Sequence, residues 1–218
     1  MREPNKFQGS GSWFNDRTGK LTASRMAAAM SFLRQKFNKD GSPLPLEESS
    51  DRKKLKIEIL AERLTLDIIP KYQTKEMEWG VEMEPLAKQE FESKTGLLVQ
   101  DLPFISHPRI ENCGASPDGL VSDGSLIEVK CPSTGKHLEY LMADVVPQEY
   151  KPQMILQAAC MGKSDVYFIS FDPRLPEKQS LFIKKFTPTK EEIEQVENAA
   201  VQFLKEVDDL FDKITLGD

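Results

Sequence analysis

The chain has 218 residues, 29% of them charged and 39% hydrophobic, with a formal net charge of −6. That balance excludes a disordered chain and suits one globular domain with a single core, expected over residues 1–218. No apolar run approaches the ~18–20 residues needed to span a bilayer, and Met1–Gln8 lacks the apolar segment of a signal peptide, so a cytoplasmic protein with no membrane partner is expected.

Along the chain, Met26-Ala-Ala-Ala-Met30 and Phe32-Leu33, behind Thr22 or Ser24 as a cap, predict a helix over about residues 22–37. The polar, Gly- and Pro-containing stretch from Asn38 to Glu47 reads as a loop. A second helix is predicted from Asp51 to Leu66, with Leu55, Ile59 and Leu60 on its apolar face and Pro70 closing the region. A longer helical pattern runs from Thr74 to Thr95 and ends at Gly96; Pro85 either kinks it or begins its second half. Strand-like runs follow at Leu97–Val99, Phe104–His107, Cys113–Ser116 and Leu126–Lys130. A helix over Pro152–Met161, strands at Val166–Phe171 and Leu181–Phe186, and an amphipathic acidic helix from about Pro188 complete the chain. This order predicts an α/β domain with a central mixed sheet of about five strands flanked by helices. The segment from Pro188 to Asp218 holds nine acids against three lysines, a net −6 equal to that of the whole chain. The rest is neutral overall, so a local basic path for nucleic acid is permitted.

The most specific pattern is Pro117-Asp118, nine residues, then Glu128-Val129-Lys130. Leu126–Lys130 alternates apolar and charged side chains, as a half-buried strand does, which puts Glu128 and Lys130 on one face about 6–7 Å apart and turns Ile127 and Val129 into a core. Ser122-Asp-Gly-Ser125 is a turn signal that would bring Asp118 back beside Glu128. Two converging carboxylates suit Mg2+, which takes oxygen ligands and keeps open positions for water and phosphate. Bound there, the metal would acidify a water and neutralise charge on a phosphodiester. A plain hairpin with a solvated charged face is the bland alternative.

Three more fragments fit around such a site. Glu84, in Trp79-Gly80-Val-Glu-Met-Glu84, supplies a third carboxylate, unless it is only one acid of a solvated face. Gln153, in Tyr150-Lys-Pro-Gln153, can orient a water or be merely exposed. Arg17, Thr22 and Ser24 precede a predicted helix N-terminus, where a phosphate would sit well and where simple capping is the alternative. Cys113, Cys131 and Cys160 are odd in number and form no Cys-x-x-Cys pair, and His107 and His137 are the only histidines. These argue against a disulfide framework, a zinc site, an iron–sulfur cluster or histidine-based catalysis, and read as buried thiols and incidental imidazoles.

Taken together, Gly19-Lys-Leu-Thr-Ala-Ser24, Trp79-Gly80 through Glu84, Ser116-Pro-Asp-Gly-Leu120, Ser122-Asp-Gly124, Glu128-Val-Lys-Cys-Pro132, Tyr150-x-x-Gln153, Tyr167-Phe168 and Phe171-Asp-Pro-Arg174 resemble the phage lambda exonuclease family. These are the YqaJ-type viral recombinases of the restriction-endonuclease-like superfamily. The resemblance spans about residues 12–187 and implies a restriction-endonuclease-like core. It also implies a Mg2+-dependent 5′→3′ exonuclease, with Mn2+ able to substitute, that acts on double-stranded DNA ends, frees 5′-mononucleotides and leaves 3′ overhangs. The partners it implies are two further copies in a homotrimer ring and a single-strand annealing protein, in a phage or prophage setting within a bacterial host. By motif, it gives Asp118, Glu128 and the Val129 carbonyl to the metal, Lys130 to the attacking water, and Glu84 and Gln153 to the surrounding network. Arg17, Thr22 and Ser24 would hold a 5′-phosphate, Met77 would wedge the duplex end, and Arg34 would contact DNA. Phe37–Glu48 is loop-like and not diagnostic, and the C-terminal helix matches mainly in character. A restriction-type endonuclease of the same fold and a non-catalytic recombination scaffold are the alternative readings.

Overall fold

The structure is a computed structural model that describes residues 16–67, 74–163 and 165–217; Pro70 and the Met1–Gln8 segment lie outside these. Two sheets organise it. In the smaller one, β1 (Leu21–Thr22) runs parallel to β4 (Cys113–Ala115), and β3 (Ile105–Ser106) pairs antiparallel on the other side of β4. The larger has five strands in the order β2 (Val99–Gln100), β5 (Gly119–Val121), β6 (Leu126–Lys130), β7 (Val166–Phe171) and β8 (Leu181–Phe186). Only β6 and β7 are parallel in it, so the expected mixed five-stranded sheet is present.

The expected fold-back forms between β5 and β6. Gly124 adopts a left-handed φ of 88° and its N–H donates to the Val121 carbonyl at 2.8 Å, while Ser125 N–H is held by Asp123 Oδ1 at 2.9 Å. Gly119 lets β2 close on this hairpin. A Cβ there would stand 2.4 Å from Val99 Cγ1, too close for any side chain.

Helices cover both faces of the large sheet. From α3 (Lys75–Thr95), Met83, Ala87 and Phe91 pack on Val121, Ile127, Val129 and Ile169. Across the sheet, Tyr140 of α4 (Thr134–Ala143) and Met154 and Ala158 of α5 (Lys151–Met161) pack on Leu126, Val166, Phe168 and Phe182. The outer side of α5 joins a second core, in which Ile155 and Leu156 meet Leu21, Met26 of α1 (Met26–Ala29), Leu55 and Ile59 of α2 (Ser50–Thr65), and Phe203 of α7 (Lys190–Leu216). Between β7 and β8 a single turn, α6, spans Glu177–Ser180.

Several expectations need correction. The helix expected over 22–37 is only Met26–Ala29, entered through a 3-10 turn at Ala23–Arg25. Met26 and Ala29 are buried, but Phe32, Leu33 and Phe37 are exposed, so no helical apolar face continues. The chain instead folds back on itself, with Leu33 N–H to the Glu47 carbonyl at 2.8 Å and Leu44 N–H to the Lys36 carbonyl at 2.9 Å. Strand β6 is not half-buried: Leu126 through Val129 are all buried, because the strand is central and α5 covers the Glu128 face. The runs at Phe104–His107 and Cys113–Ser116 belong to the small sheet, not the central one. Helix α4 was not expected from its sequence; its fully buried His137 is held by Ser170 Oγ at 2.7 Å and the Gln179 carbonyl at 2.8 Å. Helix α3 runs unbroken through Pro85, whose missing N–H leaves only the carbonyl of exposed Val81 unbonded.

Candidate active site

Asp118, Glu128, Lys130 and Gln153 converge at the C-terminal end of β6. Asp118 immediately precedes β5, and its N–H donates to the Ile127 carbonyl at 3.1 Å, while its Oδ2 accepts the Val129 N–H at 2.7 Å. Glu128 is wholly buried; its Oε1 accepts from Lys130 Nζ and from Gln153 Nε2 at 2.6 Å. The register that pairs Gly119 with Ile127 puts Pro117 opposite Val129. Residues of one strand turn N–H and C=O to the same edge, and Val129 N–H faces Asp118, so its carbonyl faces Pro117, which has no N–H to offer. That carbonyl therefore lies on the same strand edge as the N–H that Asp118 accepts.

The charges are unevenly compensated. Burial pushes the Asp118 carboxyl well above the usual carboxylate range, Glu128 and Glu84 push it further, and Lys130 and the Val129 N–H only partly offset them. Burial acts against the Lys130 ammonium, but Glu128 and Asp118 outweigh it and raise its pKa. Glu84 reaches the same region from α3, with its Oε1 2.7 Å from Lys88 Nζ, which also meets Asp101 at 2.9 Å.

Among the described residues no three His, Cys, Asp or Glu side chains stand together as a metal cage. The donor set nevertheless fits a hard divalent cation: two buried carboxylates in mutual repulsion, one backbone carbonyl, and no sulfur or imidazole. Magnesium is commonly held by one or two carboxylates, with water and substrate oxygens completing its shell.

A second cluster is built from the small sheet. Thr22 on β1 pairs with Gly114, which sets the segment after β1 beside the one that leaves β4. Arg17 Nη1 donates to Ser116 Oγ at 3.0 Å, and its Nη2 lies 3.5 Å from Thr22 Oγ1 and 3.3 Å from Ser24 Oγ. Burial, then repulsion from Arg25, lowers the Arg17 pKa to about 10, which still leaves it cationic at neutral pH. The loop is pinned by Glu62 of α2, whose carboxylate accepts Gly19 N–H at 3.0 Å and grips Arg25 at 2.6 and 3.0 Å. Gly19, at φ 70°, is required twice over, since a Cβ would also meet Arg63 Cγ at 2.8 Å.

Met77 and Arg34 stand apart from both clusters. Met77 is half-exposed in the first turn of α3, where its N–H is capped by Thr74 Oγ1 at 3.3 Å; Arg34 is exposed on the folded-back segment after α1. The buried thiols of Cys113 and Cys160 belong to the second core, and Cys131 is half-buried beside the acids with its pKa pushed up to about 12, first by burial. His107 is bonded through Nε2 to Glu197 at 3.1 Å. Four contributors escaped the sequence reading: Ser116, Glu62, Lys88 and Gln157, whose Nε2 lies 2.5 Å from Glu128 Oε2. Only Ser116 and Gln157 had a legible signal, as the neighbour of Pro117-Asp118 and as the residue one helical turn past Gln153.

The YqaJ-like viral recombinase domain matches residues 12–164. The chain is 33% identical to the alkaline exonuclease LHK-Exo from Laribacter hongkongensis, over 94% of this chain and 96% of that one, with a TM-score of 0.83; LHK-Exo has also been solved in complex with dAMP. A phage related exonuclease from Haemophilus somnus 129PT shares the fold at a TM-score of 0.67 and 15% identity, over 90% of this chain and 96% of that one. A comparison with curated proteins gives no match. The mixed sheet and its flanking helices are thus the restriction-endonuclease-like fold, and the chain belongs to the YqaJ-like viral recombinase family.

Proposed function

We propose that the protein is a magnesium-dependent 5′→3′ exonuclease that digests one strand of linear duplex DNA for phage recombination by single-strand annealing. The observation that carries this reading is the linkage of the two clusters. Ser116, which holds Arg17, is two residues from Asp118, so the anion pocket and the carboxylates are tethered within about 7 Å of chain. A 5′-phosphate held by Arg17, Thr22 and Ser24 would set the next phosphodiester beside Asp118 and Glu128.

When bound by Asp118, Glu128 and the Val129 carbonyl, a divalent ion supplies an acidified water and neutralises charge on the phosphate. Lys130 orients the attacking water, Gln153 keeps Glu128 in place, and Glu84 completes the surrounding network of metal and water. Water oxygen bonds to phosphorus as the P–O3′ bond breaks. The released nucleotide keeps its 5′-phosphate and gains a 3′-hydroxyl, and the shortened strand ends again in a 5′-phosphate. Each product end is therefore the next substrate. Met77 would part the duplex end, Arg34 would contact the DNA, and a ring of three copies would enclose it.

The test compares 5′-phosphorylated linear duplex with covalently closed circles, with and without Mg2+. Stepwise release of mononucleotides from linear DNA alone is expected, and Asp118→Ala and Lys130→Ala should abolish it while leaving the fold intact. Cleavage of closed circles would point to an endonuclease, and inertness on both to a scaffold.

A further inference from the structure

Glu128 is gripped by a residue to which nothing above gives a role. Its Oε1 accepts from Lys130 and Gln153, which fills both lone-pair directions of that oxygen. Its Oε2 accepts from Gln157 Nε2 at 2.5 Å, which leaves one direction open. Gln157 follows Gln153 by four residues, so both amides leave α5 on one face, a turn apart, and each takes one oxygen of the carboxylate.

Packing alone does not account for this glutamine. Gln157 has no exposed surface, and its Oε1 is buried with no hydrogen-bond partner among the described residues. An unpaired buried acceptor carries its full cost of desolvation, which an apolar side chain of similar length would avoid. Turning the amide over would not help, since it would set Oε1 against Glu128 Oε2, two acceptors face to face.

We propose that Gln157 is a second positioning residue for Glu128. Its Nε2 occupies one lone pair of Oε2 and so leaves the other for the divalent ion, while its Oε1 accepts a hydrogen bond from a water held in the site. This rests on the metal-dependent reading above. Partners one step removed from a metal commonly change its affinity 10–100-fold when removed.

The test is direct binding of Mn2+ to the DNA-free protein, by paramagnetic resonance or calorimetry, for wild type, Asp118→Asn, Gln157→Leu and Gln157→Met. Both Gln157 variants should weaken Mn2+ by about ten-fold or more in protein that remains folded, with KM for DNA ends unchanged. Methionine, closest in shape, guards against a misfit of leucine. Affinity within two-fold of wild type in either folded variant would overturn the proposal. If wild type binds no Mn2+, or Asp118→Asn binds it equally well, the metal-centre reading itself fails and this inference goes with it.

Discussion

Arg17 is placed by three hydroxyls and half-buried against its own kind of charge, since Arg25 lies close enough to depress its pKa. A bound phosphate would relieve both the burial and the repulsion. Arg17→Ala should therefore cut the preference for 5′-phosphorylated over 5′-hydroxyl ends by about ten-fold or more, from loss of a charge-assisted bond of roughly 1.5–3 kcal/mol. Competition between the two kinds of end checks this, and an unchanged preference removes Arg17 from the pocket. Residues of the site that the sequence exposed are those fixed by short local spacing: Asp118, Glu128 and Lys130 lie within thirteen positions. Glu62 and Lys88 were hidden because each acts on a partner through a helix surface, and one acid or lysine on a charged helix looks like any other. Glu128 was half-read. Alternation along β6 predicted its face correctly, yet the same alternation describes a solvated acid and one sealed under two glutamines.

Among the elements, β6, β7 and β8 match their expected bounds to the residue, because apolar and β-branched runs with clear ends leave few alternatives. The Met/Ala run after β1 is helical as expected, but its extension to residue 37 was misread, since helix propensity is weak and local and pairing of residues 32–37 with 43–48 overrode it. Arg52 locks that segment to the rest. Only 2% exposed, it meets Glu48 at 2.8 Å and both oxygens of Glu206 on α7 at 2.7 and 2.8 Å, and lies between the rings of Phe32 and Phe203. Arg52→Ala leaves Glu48 and Glu206 to Lys56 alone and empties this space; denaturant unfolding should show a loss of roughly 1.5–3 kcal/mol. His107 ties the small sheet to α7. Its Nδ1 accepts Arg109 and Ile110 N–H at 3.2 and 3.0 Å, and burial lowers its pKa despite Glu197. The native state therefore refuses a proton that the unfolded chain takes up near pH 6.5, and stability is present above that pH and falls as pH drops through it. The slope can reach about 1.4 kcal/mol per pH unit, and His107→Gln should flatten it in melts between pH 7 and 5.

For the whole molecule, a remainder left neutral once the terminal helix takes the entire net charge of −6 was misleading. Arg52, Arg63 and Arg109 from the preceding part are spent on Glu206, Asp208 and Glu197 of α7, so cations counted toward a DNA path bind the chain to itself. Any DNA track must draw on others, among them Arg17, Arg34 and Lys130. No described helix is long and apolar enough to cross a membrane. One chain of this size cannot surround a duplex, and the expected ring of three should appear in light scattering as three times the monomer mass; a strictly monomeric protein would remove the ring.

Helix α3 carries one further consequence. Met77 and Glu84 lie seven residues apart on it, almost two whole turns, so they share a stripe about 10 Å long. In a wedge-and-cut enzyme that interval fixes how far a parted base pair lies from the scissile bond. One residue inserted between Glu78 and Met83 would swing Met77 by about 100° around the axis and leave Glu84 in place. The folded-back segment after α1 can gain or lose length without touching this geometry. On the proposed reading, chain length between positions 77 and 84 is itself part of the catalytic apparatus.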